Sequence, residues 1–519
     1  MDITRRAVVG GVMGAGATVL AAGCTPHPQS VSTRRTGSPV TRENSATGTP
    51  HWKAGKASGT RQADDLTQQI KAFASTTSAA HGERIAFHVA TAVRQDYTVA
   101  VHRMGYYRGA GARLMSTSPR LRGTPQPPAF EDPRTGAVRC DWPASYSMEV
   151  PPHWTSGLYT ASFTTADGYR TSVPFVVRDA TRQSEFLVVL PFTTYQAYNL
   201  YPMDGVHGRS LYYGYLPSAH APAVHEKAPD GEVYPVRVVP RKTYVLHYPE
   251  RSRTVSFQRP YSGDGTPKVF DIDLDFITWA ESQGLDVTYA SSLDLHNGTV
   301  TPAHHKALLF SGHDEYWSVP MRRAAERAVA GGTGMALFAA NNVYWKVRID
   351  NGPAGFPVMT CYKTDPDPAA DPTGPTTMWR STAPHGADAE QGLLGSQYNG
   401  IVKGSAPLVV TEPAHWFWAG TGLTAGQRIE GLVRGEADGM MAGMPRPTAA
   451  EHVLLSASPF HYGAHKKPVQ NTSLYRAASG AWVFDAGTFG WNAALGGGPG
   501  LRDPRIQHAT GNLVRRLRA

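Results

Sequence analysis

The chain has 519 residues, 41% of them hydrophobic and 18% charged, with a formal net charge of +9. This length exceeds one ordinary core, and the composition excludes a fibrous or membrane-spanning protein. The first 60 residues hold seven Lys and Arg and two Asp and Glu, a net +5, which leaves +4 for the remainder. The basic character therefore argues weakly for a membrane surface and against nucleic acid as a partner.

The N-terminus, residues 1–24, reads as a twin-arginine lipoprotein signal. Arg5 and Arg6 precede a short apolar run that closes with "LAAGC", a sequence that resembles a bacterial lipobox with Cys24 as the lipidated residue. A plain N-terminal membrane anchor is the alternative, although the run is short for a span. We expect export by the twin-arginine route and a lipid anchor on the outer face of the cell membrane.

Residues 25–62 are rich in Ser, Thr, Pro and Gly and show no apolar period, which predicts a flexible tether. With Cys24 lipidated, Cys140 and Cys361 remain. Export permits these two to pair, and the sequence leaves their pairing open.

Residues 63–180 are predicted to form a β-sandwich of the immunoglobulin or lectin type. "RIAFHVATAV", "YTVAVHRMGYY" and "GLYTASFTTADG" are short alternating runs, and the Asp-Gly pair in "TTADGYRTSV" predicts a hairpin turn. We find no catalytic cluster here, so we expect a scaffold or carbohydrate-contacting role.

Residues 181–519 change period and are predicted to form an α/β domain. The order is strand "SEFLVVLPF", helix "FDIDLDFITWAESQG", strands "LDVTYAS" and "HKALLF", helix "VPMRRAAERAVAGG" and strand "GMALFAA". This alternation predicts a doubly wound parallel sheet with helices on both faces. "AWVFDAGTFGWNAAL" predicts a last strand returning to the sheet, and a terminal helix follows.

Chemistry in such sheets gathers beyond the carboxyl ends of the strands. Three predicted loops there are crowded with Tyr, Asn, His and Glu: "PFTTYQAYNLY", "SGHDEYWS" and "AANNVYWKV". In the second loop, Asp314 and Glu315 could instead complement the positive end of the following helix, which Ser318 would cap. His313 could equally be a buried core histidine. A metal-centred site and simple helix capping therefore both remain open.

With these loops in view, the chain resembles the large (β) subunit of N,N-dimethylformamidase and its relatives. The matching pieces run from about 100 to 490: "GYYRGAGARLM", "HWTSGLYTASF", "VPFVVRD", "TYQAYN", "VSFQRPYS", "HKALLFSGHDEYWS" and "ANNVYWK". The resemblance implies a lectin-like sandwich beside a glutamine amidotransferase-like domain.

The resemblance also implies one ferric iron per chain, held by two tyrosinates and a glutamate. By motif, the metal ligands match Tyr198, Tyr212 and Glu315, and the catalytic neighbours match His313 and Asn341. Competitors for the tyrosine positions are Tyr195, Tyr201, Tyr213 and Tyr261. The chain departs from the pattern at Asp314, where the enzyme has proline, and in segment 214–253, which has no counterpart. These departures leave the substrate open.

The residue types suit that chemistry. Phenolate and carboxylate are hard donors that favour a trivalent cation, and a phenol with a pKa of about 10 ionises at neutral pH only beside one. His313 could pass a proton to a departing amine, and Asn341 could bind a developing oxyanion. The bland alternatives are wall aromatics for Tyr198 and Tyr212, and a turn at Asn341.

The sequence thus predicts an exported, lipid-anchored hydrolase that cleaves a C–N bond in a small amide. The rival from another class is a non-catalytic surface lipoprotein that binds glycan or small molecules. A third alternative is a different metal, such as zinc, held by His313, Asp314 and Glu315. Whether the chain forms a homo-oligomer or takes a small partner subunit stays open.

Overall fold

The structure is a computed structural model, and it describes residues 37–220, 226–227, 233–234, 237–238, 244–369, 371–463 and 467–519. The expected export signal and the lipidated Cys24 lie outside these residues. Within the described part of the chain, no helix is long and apolar enough to cross a membrane. The segment Thr36–Ala519 forms one compact unit.

The segment around α1 (Pro39–Glu43) packs onto the folded unit. Val40 is completely buried, and the Asn44 side chain donates a hydrogen bond to Glu281 (2.7 Å). The Asn44 side-chain oxygen also accepts from two backbone N–H groups at 2.8 and 2.9 Å. Here the structure departs from the expected flexible tether, because one apolar and one amide side chain find buried partners that composition alone does not reveal.

Short strands make up the N-terminal part of this unit. They are β1 (Arg61–Gln62), β2 (Ile70–Ala74), β3 (Ser78–Ala80), β4 (Arg84–Thr91), β5 (Gln95–Met104), β6 (Ala112–Thr117), β7 (Leu121–Gly123), β8 (Phe130–Glu131), β9 (Val138–Arg139), β10 (Ala144–Glu149), β11 (Gly157–Thr165) and β12 (Tyr169–Arg178). A seven-stranded sheet has the order β1-β12-β11-β5-β6, with β3 on β12 and β7 on β5, and a three-stranded sheet has the order β10-β4-β2.

Side chains from both of these sheets share one buried cluster. Phe87 comes from the smaller sheet, and Phe163 and Phe175 come from the larger one. The hairpin predicted at the Asp-Gly pair is confirmed, because β11 and β12 pair in antiparallel register on either side of it. The alternation of apolar residues therefore reflects a real two-sheet core.

The rest of the chain adds further strands. They are β13 (Phe186–Leu190), β14 (Gly214–Pro217), β15 (Glu226–Lys227), β16 (Val233–Tyr234), β17 (Arg237–Val238), β18 (Tyr244–His247), β19 (Thr254–Ser256), β20 (Val287–Ser291), β21 (Ala307–Phe310), β22 (Tyr316–Ser318), β23 (Gly334–Leu337), β24 (Trp345–Asn351), β25 (Pro357–Thr360), β26 (Gln397–Val409), β27 (Arg428–Gly439), β28 (Ala449–Leu454), β29 (Ser458–Pro459), β30 (Val469–Gln470), β31 (Ser473–Ala477) and β32 (Trp482–Asp485). The remaining α-helices are α2 (Phe192–Tyr198), α3 (Phe270–Ser282), α4 (Ser292–Asn297), α5 (Val319–Ala330), α6 (Glu390–Leu394), α7 (Gly490–Gly496) and α8 (Pro504–Arg518).

A seven-stranded central sheet carries the order β20-β13-β21-β23-β32-β31-β28. The pairs from β20 to β32 are parallel, and the last two pairs are antiparallel. Strands β13, β21 and β23 are buried throughout, as their continuous apolar runs predict. The chain is therefore mixed α/β and rich in strands, as expected.

The parallel pairing aligns the carboxyl ends of β13, β21, β23 and β32 at one edge of the central sheet. The three loops singled out in the sequence leave from this edge. The prediction of a loop for the first segment is wrong, because most of this segment forms the short helix α2 directly after β13. Ser318 caps α5 as expected, and its side chain accepts from the backbone N–H of Met321. Cys140 and Cys361 are both buried, and both are free thiols that are not joined in a disulfide.

Candidate metal centre

Three oxygen-bearing side chains meet at this edge of the sheet. The Tyr198 hydroxyl donates to Glu315 Oε2 at 2.9 Å, and the Tyr212 hydroxyl donates to Glu315 Oε1. The two hydroxyl oxygens lie 3.3 Å apart, and the two rings stack with centroids 4.5 Å apart. The structure thus brings together the three side chains that the resemblance named as metal ligands.

Tyr198 is presented by the last turn of α2. The helix buries its other side chains, whereas Tyr198 stays half-buried at its C-terminal end. Gln196 anchors the helix by donating to the backbone carbonyl of Ser256. Because the helix begins directly after the central strand β13, the position of Tyr198 is fixed by the sheet.

Tyr212 is held by a local turn. The Ser210 hydroxyl accepts from the backbone N–H groups of Tyr212 and Tyr213 at 3.1 and 3.0 Å. The Leu211 backbone N–H donates to the Ala197 carbonyl at 3.0 Å, which ties this turn to α2. Serine is suited to the position because its hydroxyl can bond backbone groups two and three residues on.

Glu315 is fixed by backbone contacts on both sides. Its N–H donates to the Thr194 hydroxyl at 2.9 Å, and its carbonyl accepts from the N–H groups of Tyr344 and Trp345, each at 2.9 Å. The Trp345 indole N–H also donates to Glu315 Oε1 at 2.9 Å. The indole of Trp345 is therefore a partner of the central carboxylate.

His313 is fully buried and bonded at both ring nitrogens. Nε2 lies 3.1 Å from Glu315 Oε2 and 3.3 Å from the Tyr198 hydroxyl, and Nδ1 lies 2.9 Å from the Ala340 carbonyl. A carbonyl only accepts, so Nδ1 carries a hydrogen. Burial alone would lower the pKa of His313, but Glu436 and Glu315 outweigh it and raise the pKa to about 9.

Asn341 does not contact the centre directly but binds Glu436, an acid that the sequence analysis did not identify. Its side-chain amide donates to Glu436 Oε2 at 3.0 Å, and that oxygen lies 3.8 Å from His313 Nε2. Glu436 sits in β27 two residues before Asp438, so both acids face the same side of the strand. The spacing predicts only a shared face of one strand, and it does not place that face at the edge of the central sheet.

Lys363 is the second residue that sequence reasoning missed. Its side chain is 1% exposed, and Nζ lies 3.4 Å from the centroid of the Tyr212 ring and 4.7 Å from that of Trp345. No motif in "MTCYKTDP" distinguished this lysine from surface lysines, because its burial depends on distant parts of the chain.

Electrostatics separate the acid from the phenols. Burial alone would raise the pKa of Glu315, but His313 and Lys363 outweigh it and lower it. Burial and the charges of Glu315 and Glu436 raise the pKa of Tyr198 well above its usual value. In the protein alone the Glu315 carboxylate is therefore charged and the Tyr198 phenol is neutral. Only an added cation would ionise the phenol.

Other candidates from the sequence point elsewhere. The Tyr195 hydroxyl donates to Asp273 at 2.6 Å, and the Tyr201 hydroxyl donates to Gln68 at 3.3 Å. Burial and neighbouring Asp273 raise the pKa of Asp314 to about 8. Among the described residues, no group of three or more His, Cys, Asp or Glu side chains could hold a metal ion. The alternative of zinc on three successive residues thus lacks support from the geometry.

The donor set fits a small, hard cation. The Tyr198 hydroxyl oxygen lies 3.3 Å from that of Tyr212 and 2.9 Å from Glu315 Oε2. Neighbouring ligand oxygens around such a cation are also about 3 Å apart when each bond is about 2 Å long. Two phenols and a carboxylate are hard oxygen donors of the kind that favour a highly charged ion. The residues present therefore suit iron.

Residues 98–505 match the family described as N,N-dimethylformamidase beta subunit-like, C-terminal. The chain belongs to this family. Membership indicates a hydrolase similar to dimethylformamidase, and the resemblance inferred from the sequence is confirmed. No curated protein matches the chain at a significant level.

Two solved structures show weak similarity. A cycloisomaltooligosaccharide glucanotransferase from Paenibacillus sp., complexed with cycloisomaltoheptaose, is 7% identical with a TM-score of 0.16, covering 67% of this chain and 62% of its own. Murine CEACAM1b is 11% identical with a TM-score of 0.11, covering 35% of this chain and 84% of its own. Likenesses at these scores support neither a fold nor a function.

Proposed function

We propose that the chain is an exported hydrolase that cleaves the C–N bond of a small linear amide with one ferric iron held by Tyr198, Tyr212 and Glu315. The observation that supports this most is the meeting of the two phenol oxygens with both oxygens of one carboxylate. Tyr198 ends helix α2, Tyr212 lies in the turn after it, and Glu315 lies more than 100 residues further on, in the loop after β21.

Bound there, iron would supply the Lewis acidity that polarises an amide carbonyl and lowers the pKa of water. The chain's own residues do the rest. Trp345 and Thr194 orient Glu315, and Lys363 places a positive charge beside the Tyr212 ring. Residues that orient ligands in this way typically change metal affinity when they are lost.

His313 is the proton carrier in this proposal. The Ala340 carbonyl fixes Nδ1–H, which leaves Nε2 to hold a proton between Glu315 and Glu436. The two acids keep the imidazole protonated, so Nε2 can give that proton to the departing amine. The protein environment therefore favours His313 as general acid.

Asn341 takes a supporting role. The sequence predicted that its amide binds the oxyanion, but in the structure this amide donates to Glu436. We therefore assign Asn341 to holding Glu436, and Glu436 to stabilising protonated His313.

The proposal extends to architecture and location. We assign residues 63–180 to a β-sandwich, supported by the core that two sheets share, and residues 181–519 to a glutamine amidotransferase-like domain, supported by the parallel sheet. Residues 1–24 are assigned to a twin-arginine lipoprotein signal and Cys24 to lipidation. A homo-oligomer or a small partner subunit remains compatible with this assignment, and nucleic acid plays no part in it.

Metal analysis of the purified chain tests the proposal. We expect about one iron per chain and a visible absorption band from phenolate bound to iron. Tyr198→Phe and Tyr212→Phe should each shift or abolish the band. Tyr195→Phe is the matched control. It removes a buried hydroxyl from the same helix, but this hydroxyl donates to Asp273 and not to Glu315.

Turnover completes the test. With N,N-dimethylformamide as probe, we expect dimethylamine release that needs iron and is lost in Glu315→Gln. A chain that is iron-free as purified, and that stays colourless after reconstitution with iron, would overturn the proposal. Greater activity with zinc than with iron would point to a different centre.

A further inference from the structure

Two buried carboxyl groups lie behind the loop that carries Asn341. Asp438 in β27 and Asp485 at the end of β32 are both completely buried. The backbone N–H of Asp438 donates to the Gly487 carbonyl at 3.1 Å, two residues beyond Asp485, so the two acids lie on neighbouring segments. Burial raises the pKa of both carboxyls, and the nearby charge of Asp485 raises that of Asp438 further.

The pair is attached to the rest of the molecule on two sides. Asp438 Oδ1 accepts from the backbone N–H of Asn341 at 2.8 Å. Asp485 accepts from the Ser396 hydroxyl. Asp485 ends strand β32 of the central sheet, where it pairs with Leu337 just before the loop that carries Asn341.

The loop that Asp438 holds is strained. Asn341 has φ of +55° and Val343 has φ of +57°. Asparagine tolerates this left-handed conformation, but a β-branched side chain such as valine rarely adopts it. Such residues persist only where the surroundings fix them, and the Val343 N–H donates to the Asp314 carbonyl at 2.9 Å. Asp438 and Asp314 are thus the two anchors of the strained residues.

The conformation of this loop determines what reaches the candidate centre. With Asn341 left-handed, its amide donates to Glu436. Two residues beyond Val343, Trp345 donates its indole N–H to Glu315. If the loop relaxed, both groups would move away from their acids.

We infer that Asp438 and Asp485 are positioning residues: the pair clamps the 341–345 loop in its strained form and thereby directs Asn341 to Glu436 and Trp345 to Glu315. Among the described residues, neither acid is hydrogen-bonded to Tyr198, Tyr212 or Glu315, so neither is a catalytic residue. An effect of the clamp on turnover rests on the proposed function. An effect of the clamp on the conformation of the loop does not depend on it.

The chemistry of the pair provides a conservative replacement. In Asp438→Asn, the side-chain oxygen still accepts from the Asn341 N–H, so the bond to the loop is kept. In Asp438→Leu, that bond is lost at similar volume. A clamp therefore survives the first change and fails in the second.

Hydrogen exchange of the full chain, read in a peptide that covers 341–345, tests the clamp without any substrate. We expect Asp438→Leu to speed exchange in this loop by about tenfold or more, and Asp438→Asn to stay within about threefold of the parent. Ser396→Ala, a milder change, should give a smaller increase in the same peptide. Asp294→Leu is the matched control, because this buried acid caps α4 and does not contact the loop.

The outcomes separate the two proposals. Unchanged loop exchange in Asp438→Leu, or an equal change in Asp294→Leu, would overturn the clamp. If Asp438→Leu does not fold, unchanged loop exchange in Ser396→Ala overturns it. With N,N-dimethylformamide as probe and iron in excess, Asp438→Leu should lower kcat about tenfold or more with KM within about twofold. It should also weaken iron binding, and Asp438→Asn should restore both properties. A parent chain without turnover would contradict the proposed function and leave the exchange result standing.

Discussion

Each oxygen of the Glu315 carboxylate has two neighbours. Oε1 accepts from Tyr212 and Trp345, and Oε2 accepts from Tyr198 and faces His313 Nε2. A carboxylate offers about four acceptor positions, so the side chain is saturated and cannot rotate without loss. A cation that displaced the two phenol protons would leave Trp345 and His313 to keep the carboxylate in place.

Trp345→Phe should weaken iron binding while the fold is kept. The change removes the indole donor to Glu315 but retains a large aromatic side chain at a buried position. Loss of a group that orients a metal ligand typically lowers metal affinity about tenfold or more. Competition with a chelator, read by the visible band or by metal content, measures the change.

Trp418→Phe is the control for that experiment. Trp418 is equally buried, and its indole nitrogen has no hydrogen-bond partner among the described residues. Both substitutions therefore remove similar volume, but only one removes a bond to the candidate centre. Equal iron affinity in the two variants would show that Trp345 acts by packing alone.

At the residue scale, sequence motifs identified the candidate site residues that lie just after strand ends and missed those that lie elsewhere in the chain. Glu315 and His313 follow β21 directly, so the edge rule identified their position. Glu436 and Lys363 reach the same point from an antiparallel hairpin and from an irregular loop. No local pattern marks such residues, because only the tertiary fold brings them to the edge. The roles of all these residues stay predictions until the metal is measured.

At the scale of elements, length and periodicity separate the correct predictions from the missed ones. Helices α3 and α5 were predicted from apolar spacing over more than three turns, and each ends near a glycine. Helix α2 has only seven residues and is buried on nearly all sides, so it shows no amphipathic period. Its sequence is also rich in β-branched threonine, which lowers helix propensity, and packing decides its conformation instead.

Strand β5 contains a buried histidine whose titration should appear in the stability of the chain. Burial and nearby Arg170 lower the pKa of His102 to about 4, from an ordinary value of 6.5. In the unfolded chain the imidazole takes up a proton below pH 6.5, but in the fold it stays neutral down to about pH 4. Stability from this group is therefore complete above pH 6.5 and is lost as the pH falls toward 4.

His102→Gln should remove this contribution. Between pH 7.5 and pH 5 the parent should lose about 2 kcal/mol more of its free energy of unfolding than the variant loses. Urea unfolding at the two pH values, followed by tryptophan fluorescence, measures the difference. If both proteins lost the same amount, His102 would have to be protonated in the fold.

At the scale of the whole molecule, a buried ion pair joins the N-terminal sheets to the α/β part. Arg103 in β5 binds both oxygens of Glu281 in α3, at 2.7 and 2.9 Å, and both side chains are fully buried. Glu281 also accepts from Tyr289 and from Asn44. One carboxylate thus gathers the N-terminal segment, a strand, a helix and the central sheet at a single point.

The space around this pair is closely fitted. A Cβ on Gly105 would lie 2.5 Å from the Glu281 carboxylate, and a Cβ on Gly157 would lie 2.8 Å from Arg103 Nε. Both distances are too short for any larger residue, so these glycines allow the backbone to approach the ion pair. The role of these two glycines depends on a contact between residues 178 positions apart in the chain, which no local pattern reveals.

Breaking this pair from one side should be far more costly than removing both charges. Arg103→Met leaves the Glu281 carboxylate buried without its cation, which typically costs about 3 to 5 kcal/mol. In Arg103→Met/Glu281→Leu no charge remains, but the donors of Asn44 and Tyr289 lose their acceptor, so stability should return only in part. Denaturant unfolding of the parent, both single variants and the double variant gives the coupling energy, which we expect to exceed about 2 kcal/mol.

Because the pair bridges both parts, the parent should unfold in a single transition, and Arg103→Met should separate it into two. A single variant as stable as the parent, or additive effects, would mean that apolar packing alone joins the two parts.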